Sequence, residues 1–206
     1  TTVKEMLAEV LRQRFGETAV LATAGNFNNH IGLPLTLLKL TSAHRYAVIE
    51  MGMSHFGELA QLTQIARPDV ALVNNALRAH VGCGFEGVGD IAKAKSEIYQ
   101  GLNADGLALI PCEDANATVF QTASKAFKQH TFGVGQGDIH AGNIVLQPLS
   151  CAFDLVRGDE RAAVLLPVPG KHNIHNAVAA AALGAQYSAR CTATATALDE
   201  VTLTIA

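Results

Sequence analysis

The stretch Thr23–Leu38 reads TAGNFNNHIGLPLTLL and places three asparagines and two glycines between a strand-like run and an apolar, helix-like run. Asparagine amides donate and accept hydrogen bonds, and glycine lets the backbone approach a ligand closely. A helix that begins near Ile31 would also direct its first amide groups at an anion. The pattern predicts a ligand-facing loop, although an ordinary capped turn fits this stretch equally well.

Short apolar runs alternate with helix-like segments around this loop. A helix over Val3–Phe15 is expected to precede a strand over Ala19–Ala22. Three further apolar runs are each followed by a segment with helical spacing. The expected strands are Tyr46–Glu50, Val70–Asn74 and Leu107–Ile110, and the expected helices are Gly57–Ala66, Val88–Leu102 and Ala115–Ala126. This alternation predicts an α/β fold with a doubly wound, mostly parallel sheet.

The pattern changes after His130. Three consecutive strands joined by turns are expected at Ile139–Gln147, Cys151–Arg157 and Ala162–Val168. Gly158 and Asp159 form the most probable hairpin turn between the last two. These strands predict a smaller, partly antiparallel sheet packed beside the first, followed by an alanine-rich helix over His172–Leu183.

Composition excludes several classes of function. The chain has 206 residues, a net charge of −3 and only 16% charged residues, so it lacks the basic surface that nucleic-acid binding requires. The four cysteines are Cys83, Cys112, Cys151 and Cys191. They form no C-x-x-C pair, which argues against a zinc ribbon and favours reduced, cytosolic thiols. No apolar run approaches the roughly 18 residues of a membrane span, so no membrane insertion is expected.

Six segments in a fixed order carry a more specific signal. They are AGNFNNHIGLPLTLL, YAVIEMG with SHFGE, RPDVALVNN, AHVGCGF, AKAKSEIY and GKHNIHNAVAA. Over about Thr1–Leu183, this series resembles the central ATP-binding domain of the Mur ligases, which implies a fold of P-loop NTPase type. Within the family, it is most similar to the members that join D-alanyl-D-alanine to a UDP-N-acetylmuramoyl tripeptide. The resemblance implies a cytoplasmic, monomeric enzyme of peptidoglycan precursor synthesis that uses ATP and two Mg²⁺ ions and forms an acyl phosphate.

The resemblance also implies roles for individual residues. Glu50 corresponds to the family's magnesium-binding glutamate, and the hydroxyl of Thr1 would bind the same ion. His80 would bind the second ion or contact the reacting carboxylate. Lys95 matches a catalytic lysine that is often carbamylated, which turns a cation into a metal-binding carboxylate. Each of these residues also has an alternative without a functional role. Glu50 would then be a solvated strand end, His80 a surface histidine, and Lys95 a solvated helix lysine such as Lys93.

The remaining implied contacts are with the nucleotide and the peptide substrate. Asn173 and Asn176 lie three residues apart on one face of a helix and would contact adenine, with His172 as a weaker candidate. N-terminal helix capping is the alternative role for Asn173. Asn28 and Asn29 would face the muramoyl peptide and the γ-phosphate. His55 lies near enough to Glu50 in the sequence to support it indirectly.

Two features depart from the family pattern. The segment VGCGFEGVGD lacks the glutamate usually found two residues after His80 and has one extra residue before the lysine motif. The family also carries a phosphate loop ending in Gly-Lys-Thr, in which Thr1 would be the final threonine. We therefore expect 1–206 to be a fragment of the central ATPase domain, without the start of that loop, the N-terminal uridine-nucleotide domain or the C-terminal Rossmann-like domain. Two alternatives remain, a folylpolyglutamate-type ligase and a non-catalytic nucleotide-binding module.

Overall fold

The computed structural model describes residues 1–78, 82 and 84–191, with the backbone alone for 186–191. The α-helices in this part of the chain are α1 Thr2–Phe15, α2 Gly32–Leu37, α3 Glu58–Ala66, α4 Val88–Ser96, α5 Ala117–Ala123 and α6 Lys171–Cys191. The strands are β1 Val20–Ala22, β2 Tyr46–Val48, β3 Val70–Leu72, β4 Leu107–Pro111, β5 Lys128–Gly133, β6 Ile139–Leu146, β7 Cys151–Arg157 and β8 Glu160–Leu166. Short 3₁₀ turns follow α1 at Glu17–Ala19 and α4 at Glu97–Gly101.

Two sheets hold these strands. β1 and β2 pair in parallel, with Val20 opposite Tyr46. The second sheet has the order β3-β4-β5-β6-β7-β8 and is parallel from β3 to β6 and antiparallel from β6 to β8. The expected α/β class is confirmed. The antiparallel strands lie in the same sheet as β3, β4 and β5, because β6 pairs in parallel with β5 and antiparallel with β7.

Strand β4 shows why the sheet is doubly wound. All five of its residues are buried, as expected for a strand covered on both faces. Leu107 and Leu109 pack into the core formed with α1 and α6, whereas Ala108 and Ile110 pack into the core formed with α3, α4 and α5. The two-residue period of a strand therefore divides one continuous apolar run between two cores.

Several boundaries differ from the sequence-based expectations. β5 was not expected, because its first three residues, Lys128–His130, are polar and exposed and give no apolar run. β2 ends at Val48 and β3 at Leu72, so Glu50 and Asn74 lie in the loops that follow. The hairpin turn at Gly158 and Asp159 is confirmed: Gly158 has φ +58°, a left-handed conformation that glycine adopts without strain.

None of the described helices is long and apolar enough to cross a membrane. Cys112 and Cys151 are free thiols. Cys83 and the side chain of Cys191 lie outside the described residues.

Candidate active site

A cavity of about 1240 Å³ lies between β2 and β3 and is lined by every residue of 45–54 and of 66–75. A sheet face presents alternate residues, whereas a strand edge presents all of them, so the cavity runs along two strand edges. In the described part of the chain, β2 pairs only with β1 and β3 only with β4, which leaves both of these edges unpaired. Polar side chains line the cavity beyond the carboxyl ends of both strands, where ligands bind in open α/β sheets.

Glu50 is the most constrained of these polar residues. Its Oε1 accepts hydrogen bonds from Thr1 Oγ1 at 3.1 Å and from Asn28 Nδ2 at 3.0 Å. Its Oε2 is buried, lies 3.4 Å from the amino group of Thr1 and accepts no hydrogen bond from the described residues. Buried carboxylate oxygens are normally satisfied, so this atom has capacity for a further ligand. The structure thus brings together three predicted site residues: Thr1, Asn28 and Glu50.

The backbone beside Glu50 is held by two residues that the sequence analysis did not identify. The amide of Glu50 donates to Thr23 Oγ1 at 3.0 Å, and the buried Lys4 Nζ donates to the carbonyl of Thr23 at 2.7 Å. Lys4 is three and seven residues before the buried Leu7 and Leu11 of α1. That spacing places a lysine on the buried helix face, a signal that the sequence already contained.

Lys95 lines the same cavity and donates from Nζ to the carbonyl of Asn75 at 2.7 Å. Burial lowers the pKa of Lys95, while the negative charge of Asp114 partly opposes this shift. Asp114 also accepts a hydrogen bond from the amide of Ala76 at 2.7 Å, so it holds the turn that carries Asn75. Lys93, by contrast, is exposed and lies 3.3 Å from Asp90.

Asn176, in helix α6, lines the same cavity as Glu50 and Lys95. Its Oδ1 accepts a hydrogen bond from Asn74 Nδ2 at 3.0 Å, and both residues line the cavity. The ring of His175 lies beside them, with Nε2 3.0 Å from the carbonyl oxygen of Asn74 and the ring tilted by 46° to that of Phe132. Asn74 Oδ1 is buried and accepts no hydrogen bond from the described residues.

The other two predicted adenine contacts are elsewhere. Asn173 Nδ2 donates to the carbonyl of Pro169 at 2.7 Å, which ties the first turn of α6 to the preceding loop. His172 is exposed and lies close to Gly170. Among the described residues that line the cavity, neither is present. Asn173 therefore makes a local contact at the start of α6, in which its side chain donates to a carbonyl and, among the described residues, does not accept from the helix amides as a cap would.

The side chain of Asn29 accepts hydrogen bonds from the first amides of helix α2, so these amides are not open to a ligand. Asn29 Oδ1 accepts hydrogen bonds from the amides of Ile31 at 3.1 Å and Gly32 at 2.9 Å. These are the amides expected to face an anion, so that expectation was wrong: the side chain before the helix already satisfies them. Asn28 is the residue of this pair that contacts Glu50.

Two histidines and one glutamate complete the comparison with the sequence. His80 lies outside the described residues, so its predicted role stays a prediction. His55, which lies near Glu50 in the sequence, is exposed, and its Nδ1 lies 3.6 Å from Glu58 Oε1. The carboxylate of Glu97, which the sequence analysis did not single out, accepts hydrogen bonds from the amide of Gly57 at 2.9 Å and fixes the start of α3.

Metal ligands in this part of the chain are sparse. The described residues contain no cluster of three or more histidine, cysteine, aspartate or glutamate side chains that could hold an ion. Mg²⁺ nevertheless often binds through one or two protein groups, together with water and substrate phosphates. Glu50, with a buried oxygen that accepts no hydrogen bond from the described residues, and Thr1, with its hydroxyl, fit that kind of site.

Comparison with known proteins gives a consistent result. A family model described as the Mur ligase middle domain matches residues 1–184. The chain is 41% identical over 194 residues to the UDP-N-acetylmuramoyl-tripeptide--D-alanyl-D-alanine ligase of Haemophilus influenzae, covering 93% of this chain and 42% of that protein. It is 43% identical over 191 residues to the Escherichia coli ligase of the same name, covering 92% and 41%.

A solved structure gives the same relationship in three dimensions. The crystal structure of MurF from Acinetobacter baumannii superimposes with a TM-score of 0.86 at 39% identity, over 91% of this chain and 40% of that one. The chain thus spans about two fifths of the length of these relatives. Because the model of the Mur ligase middle domain matches residues 1–184, the chain belongs to the Mur ligase family.

Proposed function

We propose that residues 1–206 form the ATP-binding part of a cytoplasmic ligase that joins D-alanyl-D-alanine to a UDP-N-acetylmuramoyl tripeptide. The observation that carries the proposal is the convergence of Glu50, Lys95 and Asn176 on one cavity at the ends of β2 and β3. Relatives at 41% and 43% identity that are named for this reaction support the choice of substrates.

Charge is the central problem in such a reaction, because a carboxylate must approach a phosphate anion. Bound Mg²⁺ would neutralise the phosphate charge in this site. Glu50 Oε2 and Thr1 Oγ1 are the groups available to hold it, and Asn28 keeps the carboxylate in place through its bond to Oε1. His80 remains the proposed ligand of a second ion.

Lys95 is suited to either of two roles. As an ammonium it would offset phosphate charge, and as a carbamate it would act as a metal ligand. Carbamylation requires a neutral amine, and a burial-lowered pKa increases the neutral fraction at a given pH. The bond from Nζ to the Asn75 carbonyl holds the nitrogen at the cavity wall in the charged form.

Asn176 is the proposed adenine contact, and Asn28 and Asn29 lie on the side where the peptide and the γ-phosphate would bind. An asparagine amide can pair with the adenine edge through one donor and one acceptor. Asn176 Oδ1 accepts a hydrogen bond from Asn74, which orients the amide. We assign Asn173 and His172 a smaller part in nucleotide binding, because neither lines the cavity in the described part of the chain.

The same cavity supports the expectation that 1–206 is a fragment of its domain. Two strand edges that are unpaired among the described residues face each other across the cavity and leave room for a further strand, and a strand parallel to both would end close to Thr1. In a longer protein, a segment ahead of Thr1 would complete the sheet and lead into the proposed phosphate loop.

Phosphate release tests the proposal. The intact protein that carries these residues is incubated with ATP, Mg²⁺ and UDP-N-acetylmuramoyl tripeptide, with and without D-alanyl-D-alanine; D-alanine is the matched control amine. Release that depends on the dipeptide is the expected result. Release that depends on glutamate and a folate would assign a folylpolyglutamate-type ligase, and nucleotide binding without release for any amine would assign a non-catalytic module.

A further inference from the structure

Lys4 is buried at a position where helix packing alone would favour an apolar side chain. Its side chain is 4% exposed, and it shares one face of α1 with Leu7, Ala8 and Leu11. A buried cation costs free energy unless it is paired and hydrogen-bonded. Lys4 Nζ meets this requirement with Glu5 Oε1 at 2.6 Å and the carbonyl of Thr23 at 2.7 Å.

The partner Thr23 is fixed on three sides. Its amide donates to the carbonyl of Val48 at 3.0 Å, its Oγ1 accepts from the amide of Glu50 at 3.0 Å, and its carbonyl accepts from Lys4. Thr23 is itself 2% exposed, so water does not compete for these bonds. A displacement of Thr23 would therefore move both the end of β2 and the backbone of Glu50.

The loop that starts at Thr23 also supplies Asn28, whose amide group donates to Glu50 Oε1. Glu50 is thus held at its backbone by the first residue of this loop and at its carboxylate by a later one. Lys4 contacts the loop where it leaves β1, and it lines the same cavity as Glu50. The ammonium of Lys4 reaches Glu50 only through Thr23 in the contacts that the described residues make.

We propose that Lys4 is a positioning residue: through the carbonyl of Thr23, it fixes the backbone at Glu50 and thereby the position of the Glu50 carboxylate beside the cavity. The importance of this for turnover rests on the proposed function, in which Glu50 holds Mg²⁺. The geometric part of the proposal, that Lys4 holds the backbone at Glu50, does not rest on that function, because it concerns only the hydrogen bond between the Glu50 amide and Thr23 Oγ1.

Hydrogen exchange of the Glu50 amide tests the geometric part in the intact protein. Lys4→Met keeps the length and apolar stem of the side chain but removes the donor. Exchange at Glu50 is expected to become about tenfold faster relative to the amides of β2, because loss of one anchoring bond promotes local opening. Leu11→Val, on the same buried face, is the control and should change the Glu50 amide and the β2 amides equally. Unchanged relative exchange at Glu50 in Lys4→Met would overturn the proposal.

A second measurement separates this inference from the proposed function. The affinity for Mn²⁺ in the presence of ATP is measured by electron paramagnetic resonance for the wild type, Lys4→Met, Leu11→Val and Glu50→Gln. Lys4→Met is expected to weaken Mn²⁺ binding about tenfold, and Lys4→Met combined with Glu50→Gln should be no weaker than Glu50→Gln alone. If Glu50→Gln weakens binding and Lys4→Met does not, the positioning role is wrong. If Glu50→Gln has no effect, the metal role of Glu50 fails, while the exchange result still decides the role of Lys4 as an anchor.

Discussion

Two regions of the molecule contain the same kind of side-chain pair, in which a carboxylate accepts a hydrogen bond from an asparagine. At the cavity, Asn28 Nδ2 donates to Glu50 Oε1 at 3.0 Å. In the antiparallel region, Asn143 Nδ2 donates to Asp154 Oδ2 at 2.6 Å, beside a register shift between Gly142 and Val145. The pairs differ in their surroundings: Glu50 Oε2 is buried without a hydrogen bond, whereas the second pair lies on an exposed sheet face.

This difference separates a binding role from a structural one. Asn143 has φ +48°, a left-handed conformation in which asparagine is tolerated better than most residues, and its bond to Asp154 stabilises the irregular strand. Glu50 lines a cavity at the end of a parallel strand, and one of its carboxylate oxygens is buried and accepts no hydrogen bond from the described residues. An asparagine–carboxylate pair alone therefore indicates no function; the unsatisfied oxygen and its position in the sheet do.

The largest effect on activity is expected when the carboxylate of Glu50 is replaced by an amide, with the same replacement at Asp154 as the control. In the intact protein, Glu50→Gln should lower kcat for Mg²⁺-dependent phosphate release by about 10²–10³-fold, because a charge that acts on the transition state is lost. Asp154→Asn, the same change in the antiparallel region, should stay within about twofold of the wild type. Equal effects of both variants would remove the distinction between the two regions.

A smaller but still large loss is expected at Lys95. Lys95→Ala should lower kcat about 10²-fold and recover partly with acetate or formate, which can replace a carbamate. Lys93→Ala is the matched control, since Lys93 is exposed on the same helix, and it should retain activity. Full activity of Lys95→Ala without added acid would exclude the catalytic role.

The carbamate itself can be observed with ¹³C-labelled bicarbonate. Burial lowers the pKa of Lys95, so its neutral, reactive fraction increases as the pH rises towards that lowered value. We expect a ¹³C carbamate resonance that grows with pH in the wild type and in Lys93→Arg and is absent in Lys95→Arg. A resonance that persists in Lys95→Arg would assign carbamylation to another amine.

A moderate and selective effect is expected at Asn176. Asn176→Ala should raise KM for ATP several-fold and leave KM for the tripeptide nearly unchanged, because one base contact and its orientation by Asn74 are lost. Asn173→Ala should lower stability by about 1 kcal/mol, the value of one hydrogen bond, with KM for ATP little changed. The reverse pattern in these two variants would reassign the adenine contact to Asn173.

The smallest effect on activity is expected at Asn143. Asn143→Ala loses the bond to Asp154 and places a Cβ-bearing residue without a polar side chain at a positive φ, so unfolding in urea should show a loss of about 1–2 kcal/mol. Phosphate release should be unchanged. A large loss of activity with no loss of stability would show that the antiparallel region takes part in the reaction.

Sequence periodicity predicted the parallel α/β architecture and the hairpin at Gly158, because buried strands and tight turns leave local signals. It did not predict β5, whose pairing with β4 and β6 places polar residues in a central strand. At the candidate site, Glu50 and Lys95, which the resemblance singled out, both line the cavity, whereas Thr23 and Asn74 make contacts between distant segments. Such contacts depend on tertiary packing and have no local pattern, although Lys4 on the apolar face of α1 did give a signal.

The central claim is that Glu50 Oε2 is a metal ligand at a nucleotide site. A crystal structure of the intact protein with Mn²⁺ and a non-hydrolysable ATP analogue tests it most directly, since Mn²⁺ is located by its anomalous scattering. We expect an anomalous peak at about 2.0–2.2 Å from Glu50 Oε2, in the range for a small divalent cation and a carboxylate. A nucleotide-bound structure with Mn²⁺ elsewhere, and Glu50 still bonded only to Thr1 and Asn28, would contradict it.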